Sequence, residues 1–392
     1  MGEKQVSCII PCYNSQEYIH RTVDSIMDQT IRPSELILIN GCSTDNTLDI
    51  LREIENQNND IVKVIDLEEN KGVSYARNFG AKNSNGDYIL FLDSDDIVKP
   101  WLIERYQLKL RELNNGSEDK YILCYSAYIQ IDENDNQVSE IVNGIQVEPD
   151  EILGYEFYRN YIISTSGVMV KKDFFNKSCG FNKKLNYSED WDLWLRLAAL
   201  GGFAYVDEPL TQIRRHETNV SSSVDRMLDG EKAVLKQYDI EYIRKALFKR
   251  KLDIEVNTVD YVSILFRFGF WENGLIELKA LLKKGSKFYN LYFHLGLYYL
   301  KSNELEQALG YFEESIMYKN DHGAALNNAG ALHLLKGNRK TAEKYLGLAI
   351  QYFPLYLDAK YNYDILGKKD VLLGKIKFTW RELRNVLTIY NG

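Results

Sequence analysis

Residues 5–10 form a short apolar run closed by Pro11, and from Ser15 to Gln29 apolar positions recur at helical spacing, so a strand feeds a helix. The alternation repeats. A second apolar run, Glu35 to Asn40, precedes the turn Gly41-Cys42-Ser43-Thr44-Asp45 and then Leu48, Leu51 and Ile54 at helical spacing. Ile61 to Leu67 predicts a third strand, Val73 to Lys82 a third helix, and Tyr88 to Leu92 a fourth, wholly apolar strand ending in Asp93-Ser94-Asp95-Asp96. Strands alternating with helices at this spacing indicate a parallel sheet covered by helices on both faces. Ligands of such sheets lie beyond the carboxyl ends of the strands, which directs attention to 11–14, 40–45, 68–71 and 93–96. The stretch 132–151 is polar and acidic and reads as a loop, after which order returns through Ile162 to Val170 and a helix holding Trp191, Trp194, Leu195 and Leu197.

Beyond about residue 225 the pattern becomes helical throughout. Gly296, Ala308, Phe312 and Ser315 recur 34 positions later as Gly330, Ala342, Leu346 and Ala349. A period of this length with small residues at fixed places resembles the tetratricopeptide repeat, in which helix pairs cross closely. The two domains expected are therefore 1–225, α/β, and 226–392, all-α with repeats clearest over 288–355. The segment Val371 to Leu387 mixes apolar and basic positions and reads as a helix capping the solenoid, with a membrane-surface helix as the alternative.

Composition agrees with two folded units: 392 residues exceed what one hydrophobic core usually serves, and 45% hydrophobic content excludes a mainly disordered chain. The net charge of −8 conceals an asymmetry. Residues 1–220 hold 22 basic and 36 acidic side chains, leaving 26 basic and 20 acidic for the rest, so nucleic acid is not an expected partner of the chain, and least of all of its front half. Five cysteines without a C-x-x-C pair suggest neither a disulfide framework nor a zinc site. With no charged-then-apolar leader and no long apolar run, a cytoplasmic protein is expected, at most peripheral to a membrane.

Four constellations carry candidate chemistry. Asp93, Asp95 and Asp96 crowd three carboxylates at a strand end, an arrangement that a hard divalent cation would relieve, although Asp also caps helices. Glu189 and Asp190 open an amphipathic helix, where a second carboxylate serves either as a base or as a cap in the helix dipole. Lys71, Arg77 and Asn78 surround a glycine turn entering a helix and are read as phosphate ligands or as solvated surface. His216, after Arg214 and Arg215, is read as a metal or phosphate ligand or as a structural residue.

Taken in order, Ile9-Ile10-Pro11-Cys12-Tyr13-Asn14, the 41–45 turn, Gly72 to Asn78, Asp93-x-Asp95, Gly180-Phe181, Glu189-Asp190 and Arg214 to His216 resemble the family 2 glycosyltransferases of the GT-A fold. The resemblance covers about residues 5–222. It implies a Rossmann-like nucleotide-sugar domain binding its donor through Pro11, Tyr13, Asn14, Asn40, Gly41, Asp45, Lys71, Arg77, Asp93, Ser94 and Glu189. It further implies Mn²⁺ or Mg²⁺ on Asp95, Asp93 and His216, and Asp190 as the base of an inverting transfer. Gln-x-x-Arg-Trp and membrane spans, marks of processive members, are absent from the sequence, which points to a non-processive enzyme. Many relatives carry two acidic residues where this chain has Asn40 and Gly41, the second of them contacting the base of a uridine nucleotide; UDP is nonetheless the first expectation for the donor. The acceptor is expected to be a glycan, a lipid-linked saccharide or a polypeptide. The repeats would hold an acceptor or protein partner, form a homodimer, or merely cap the enzyme. Two other readings are a sugar nucleotidyltransferase, for which residues 11–15 lack a basic phosphate loop, and a non-catalytic nucleotide-sensing scaffold.

Overall fold

The computed structural model describes residues 4–115, 119–215, 224–368 and 373–383. The chain forms two compact units, Met1–Arg250 and Lys251–Gly392. In chain order the first contains β1 (Val6–Cys12), α1 (Ile19–Met27), β2 (Glu35–Asn40), α2 (Thr47–Gln57), β3 (Val62–Asp66), α3 (Val73–Asn83) and β4 (Tyr88–Phe91). There follow β5 (Ile97–Val98), α4 (Leu102–Asn114), β6 (Tyr121–Ile131), α5 (Ile152–Tyr158), β7 (Val168–Lys171) and α6 (Lys172–Lys177). It closes with α7 (Glu189–Ala198), β8 (Gly202–Arg214), α8 (Val224–Leu235) and α9 (Ile240–Leu247).

The eight strands form one sheet in the order β3-β2-β1-β4-β7-β6-β8-β5. The first four are mutually parallel, as the strand–helix alternation requires; β7 then joins β4 antiparallel, so the sheet as a whole is mixed. Along β1, β2 and β4 the side chains alternate between the faces. Cys8, Ile10, Leu36, Leu38, Leu90 and Leu92 pack with residues of α1, α2 and α4. Ile9, Ile37, Ile39, Ile89 and Phe91 pack with residues of α3, α5, α6 and α7. Both faces are thus buried, which accounts for runs such as Leu-Ile-Leu-Ile in β2 that show no polar alternation. The crevice beyond β1 and β4, where the strand order reverses, is the place where such a sheet offers a ligand site.

One glycine sets the depth of α3. A Cβ at Gly80 would stand 2.6 Å from Ile39 and 2.7 Å from Ile9, so only glycine lets α3 lie this close to β1 and β2. Arg77, one turn earlier on that helix, is thereby held over the strand ends. Helix α9 stands beside α5, where Gly154 faces the Ala246 carbonyl.

The second unit consists of α10 (Ile254–Phe268), α11 (Trp271–Lys283), α12 (Tyr289–Lys301), α13 (Leu305–Tyr318), α14 (Gly323–Leu335), α15 (Arg339–Tyr352) and α16 (Leu357–Asp364). Helix starts at 289, 323 and 357, and at 271, 305 and 339, both advance by 34. The glycines singled out by the periodicity sit where helices cross: a Cβ at Gly296 would meet the Phe312 ring at 2.5 Å, and one at Gly330 would meet Leu346 at 2.7 Å. The expected helix over 371–387 is not formed among the described residues: Leu373–Lys375 is a 3₁₀ turn and 376–383 has no helical or strand pairing. The reason is local. The backbone groups of Lys377 and Thr379 bond to side chains of α14 and α16 instead of to their own chain neighbours.

Candidate functional site

The carboxyl ends of β1, β2 and β4 gather three loops. Asn14, at φ 50°, accepts the Thr44 N–H through Oδ1 at 2.8 Å while its own N–H donates to Ser43 Oγ at 3.1 Å, which locks 13–14 onto the 41–45 turn. Gly41 N–H donates to the Cys12 carbonyl at 2.8 Å, and Cys42 turns the chain with φ 61°. Asp45 accepts the Thr47 N–H at 3.0 Å and so spends one oxygen on the start of α2. Asn40 is buried and fully engaged, donating to Asp66 at 2.7 Å and accepting the Ser43 N–H at 3.2 Å. Pro11 is half-buried, whereas Tyr13 is exposed beside this turn. Ser94 stands 2.7 Å from Ser15 Oγ, which ties the loop after β4 to the loop after β1.

Arg77 occupies the centre. Its side chain is 5% exposed, and its guanidinium donates to Asp93 at 2.6 Å and to Glu189 at 3.3 Å. One buried arginine therefore joins the carboxylate motif after β4 to the one opening α7, although they lie 96 positions apart. Its Nε is buried without a hydrogen-bond partner, and the guanidinium lies 5.2 Å from the Phe181 ring centre. The backbone of Phe181 is gripped in turn by Asn78, whose amide donates to the Phe181 carbonyl and accepts its N–H, both at 2.8 Å. Gly180 permits this with φ 66°, a Cβ there falling 2.4 Å from Asn78 Oδ1.

Asp190 begins α7 next to this cluster, with Oδ1 accepting the Trp191 N–H at 2.6 Å. Burial, and after it the charge of Glu189, push its carboxyl up to about 7, against the opposing pull of the Trp191 N–H and Arg77. A carboxylate near neutrality is suited to accept a proton at physiological pH. Helix α7 is anchored below by Trp191, whose indole N–H donates to the Glu156 carbonyl at 2.8 Å, and by Trp194, which donates to Ile162 at 3.0 Å.

Asp93, Asp95 and Asp96 have unequal surroundings. Asp96 is buried, accepts the Arg214 N–H at 2.7 Å, and is raised well above the usual carboxylate range by burial and by the charges of Asp95 and Asp93. It behaves as a structural residue, while Asp93 and Asp95 remain half-buried at the crevice. Their oxygens fit a hard divalent cation by donor type, and the negative charge they impose on Asp96 is what such an ion would relieve. Among the described residues no group of three or more His, Cys, Asp and Glu converges on a metal position. His216 lies outside the described residues. Lys71 is exposed and paired with Glu69 at 2.7 Å.

One residue, Ser166, has no mark in the sequence, and another, Arg214, stands there only as part of a motif with no role of its own. Ser166 accepts the Asp93 N–H at 3.1 Å and lines an open depression with Tyr125, Tyr128, Tyr161 and Ser164. Arg214, wholly buried, donates to the carbonyls of Asp95 at 2.8 Å and Asp132 at 2.6 Å and to the Asp135 carboxylate at 2.5 Å. Its place in an Arg-Arg-His run was the available signal, but partners 79 to 119 positions away carry no local mark.

Residues 7–164 match the family model described as Glycosyl transferase family 2. The putative teichuronic acid biosynthesis glycosyltransferase TuaG of Bacillus subtilis is 30% identical over 219 residues, 56% of this chain and 82% of that protein. An uncharacterized glycosyltransferase of Haemophilus influenzae is 27% identical over 76% of this chain and 88% of its own length. Among solved structures, Staphylococcus aureus TarS 1-349 in complex with UDP-GlcNAc aligns over 97% of this chain and 98% of that one, at 17% identity and a TM-score of 0.49.

Proposed function

The chain belongs to the family 2 glycosyltransferases, and from that membership we propose an inverting, non-processive transfer from a nucleotide-diphosphate sugar, UDP-linked in the first instance, with Asp190 as base. The observation that carries the proposal is Arg77, which brings Asp93 and Glu189-Asp190 to one strand end. In this reading Pro11, Tyr13, Asn14 and the 40–45 turn receive the nucleotide and Ser94 the diphosphate, while the buried Arg77 acts through Asp93 and Glu189, which it pairs and holds in place. Asp93 and Asp95 would hold Mn²⁺ or Mg²⁺. Bound there, the ion would neutralise charge on the departing diphosphate.

Asp190 accepts the proton of the acceptor nucleophile as that group attacks the anomeric carbon from the face opposite the leaving diphosphate. The elevated affinity of Asp190 for a proton supports this role, because a base poised near 7 combines adequate basicity with adequate ionisation. The remaining barrier reduction comes from positioning. Asn78, Gly180 and Arg77 fix Asp190's neighbours, and Ser166 and Arg214 fix the Asp93–Asp95 loop. The depression beside Ser166, lined by tyrosines, is the proposed seat of the acceptor or donor sugar. The relative concerned with teichuronic acid biosynthesis favours a glycan acceptor. Among the described residues no helix is long and apolar enough to cross a membrane.

Calorimetric titration of the full chain with UDP, with and without Mn²⁺, tests the donor site. Mn²⁺ should tighten UDP binding by about tenfold or more in the wild type and not in Asp95→Asn, as expected when a carboxylate and a diphosphate share an ion. Absence of any nucleoside-diphosphate binding in the presence of Mn²⁺ would sink the proposal.

A further inference from the structure

Among the described residues of the helical unit, three asparagines have no solvent exposure, Asn327 and Asn328 on α14 and Asn362 on α16. Buried amides left unpaired are costly, so their partners identify what the surface is built to hold. The partners are main-chain groups. Asn328 donates to the Thr379 carbonyl at 2.9 Å and accepts the Thr379 N–H at 2.8 Å. Asn362 donates to the Lys377 carbonyl at 2.7 Å and accepts the Lys377 N–H at 2.9 Å. Two asparagines 34 positions apart, at equivalent places on the corresponding helices α14 and α16 of successive repeats, thus grip two residues two positions apart with a complete donor–acceptor pair each. That is the match between a helical repeat and the two-residue period of an extended strand.

Side chains add a shorter specificity. Thr379 Oγ1 accepts from Asn327 at 3.1 Å, donates to Asp358 at 2.9 Å and also contacts the Tyr356 hydroxyl. Glu382 accepts from the Tyr289 hydroxyl at 3.1 Å and from Asn290 at 3.2 Å. Ile376 and Phe378 pack on Ala331, Leu334 and Ala342. Trp380, between these anchors, is 46% exposed. The repeat ends upstream at His294, the position equivalent to Asn328; it bonds its own helix at Asn290, and burial pushes it down to about 4, so it presents no second amide.

We propose that this face is a binding site for an extended polypeptide strand bearing Thr or Ser at the central clamp, and that residues 376–383 occupy it as an intramolecular ligand. Because both clamps read only the main chain, a strand from another polypeptide with apolar, hydroxyl and acidic residues in the order Phe378, Thr379, Glu382 satisfies the same groups. Such a strand binds when 376–383 leaves, so the segment gates the site. This inference is independent of the catalytic assignment.

The test uses the full chain and a fluorescein-labelled synthetic peptide with the sequence of residues 374–383. The Lys377→Pro, Thr379→Pro variant removes both gripped N–H groups from the resident segment and leaves the groove intact. It should bind the peptide by fluorescence anisotropy about tenfold or more tightly than the wild type, and adding Asn328→Ala and Asn362→Ala should reverse that gain. Equal binding by the release variant and the wild type, or binding indifferent to the two asparagines, overturns the proposal. Hydrogen exchange of the wild type provides a measurement that needs no variant. The Lys377 and Thr379 amides should exchange about tenfold or more faster than the core amides of α14, as a detachable ligand does. Protection equal to that of α14 would make the segment an integral part of the core and refute its role as a ligand.

Discussion

Replacing Asp190 by Asn should abolish transfer and yet stabilise the catalytic unit, by an amount that grows with pH. The carboxyl is raised from an ordinary value of 3.8 to about 7, chiefly by burial and then by Glu189. The folded protein therefore keeps this proton over a range in which the unfolded chain has released it. The sign follows from linkage: between the two values the folded state binds more protons, so stability declines as pH rises from about 4 to about 7 and levels off above. At about 1.4 kcal/mol per pH unit, the integrated penalty is about 1.7 kcal/mol at pH 5 and about 4 kcal/mol at pH 8. Asn has no proton to lose and escapes the penalty. Its advantage over the wild type should widen by about 1–3 kcal/mol between pH 5 and pH 8, roughly 3–8 °C in melting temperature for a unit of this size. Calorimetry of both proteins side by side across that range measures it. A difference that is constant with pH, or an Asn variant less stable at pH 8, would refute the assigned burial and charge environment.

Two other substitutions probe the same cluster. Arg77→Met leaves Asp93 and Glu189 without their shared cation, and should raise the Asp190 proton affinity further while lowering stability by about 3–5 kcal/mol, as loss of one partner from a buried ion pair does; carboxyl-carbon NMR titration and urea unfolding read the two effects. Gly180→Ala forces a side chain into positive φ and against Asn78 Oδ1, and should cost about 1–3 kcal/mol with a lowered rate of transfer, whereas Gly72→Ala, at φ 84° with no atom near its Cβ position, bears only the backbone strain; urea midpoints for the pair separate clash from strain.

The front of the site was legible because its elements announce themselves locally. Wholly apolar β4 followed by three carboxylates, and Gly72 before a helix carrying Arg77, are contiguous signals. The direction of β7 was not legible, since a hydrophobic run specifies burial and not orientation. β6 was missed although its eleven residues, almost all buried, form the same kind of run that marked β2 and β4. Arg214 illustrates the limit for site residues: its value lies in carbonyls of Asp95 and Asp132, and a main-chain acceptor leaves no trace in residue type. The 376–383 segment shows the opposite error. Its amphipathic composition is genuine, yet Asn328 and Asn362 offer its backbone better-placed partners than a helix would, and tertiary bonding overrides local pattern.

Where the resemblance implies a carboxylate facing the nucleotide base, Gly41 has no side chain and Asn40 is not free to substitute for it, being committed to Asp66 and Ser43. Base recognition at this point therefore falls to the surrounding main chain, and discrimination between uracil and cytosine should be weak. Gly41 has no positive φ, and a Cβ there meets only the Cys12 carbonyl at 3.4 Å and Tyr13 at 3.7 Å, so an acidic side chain fits. Gly41→Asp should then accept the imide N–H of uracil, a charge-assisted bond worth about 1.5–3 kcal/mol. Affinity for UDP should rise roughly tenfold or more while affinity for CDP, which presents no such donor, stays level or falls. Competitive titration of the two diphosphates against wild type and variant measures the ratio. An unchanged UDP-to-CDP ratio would place the base elsewhere than against the 40–45 turn, and with it the orientation proposed for the donor.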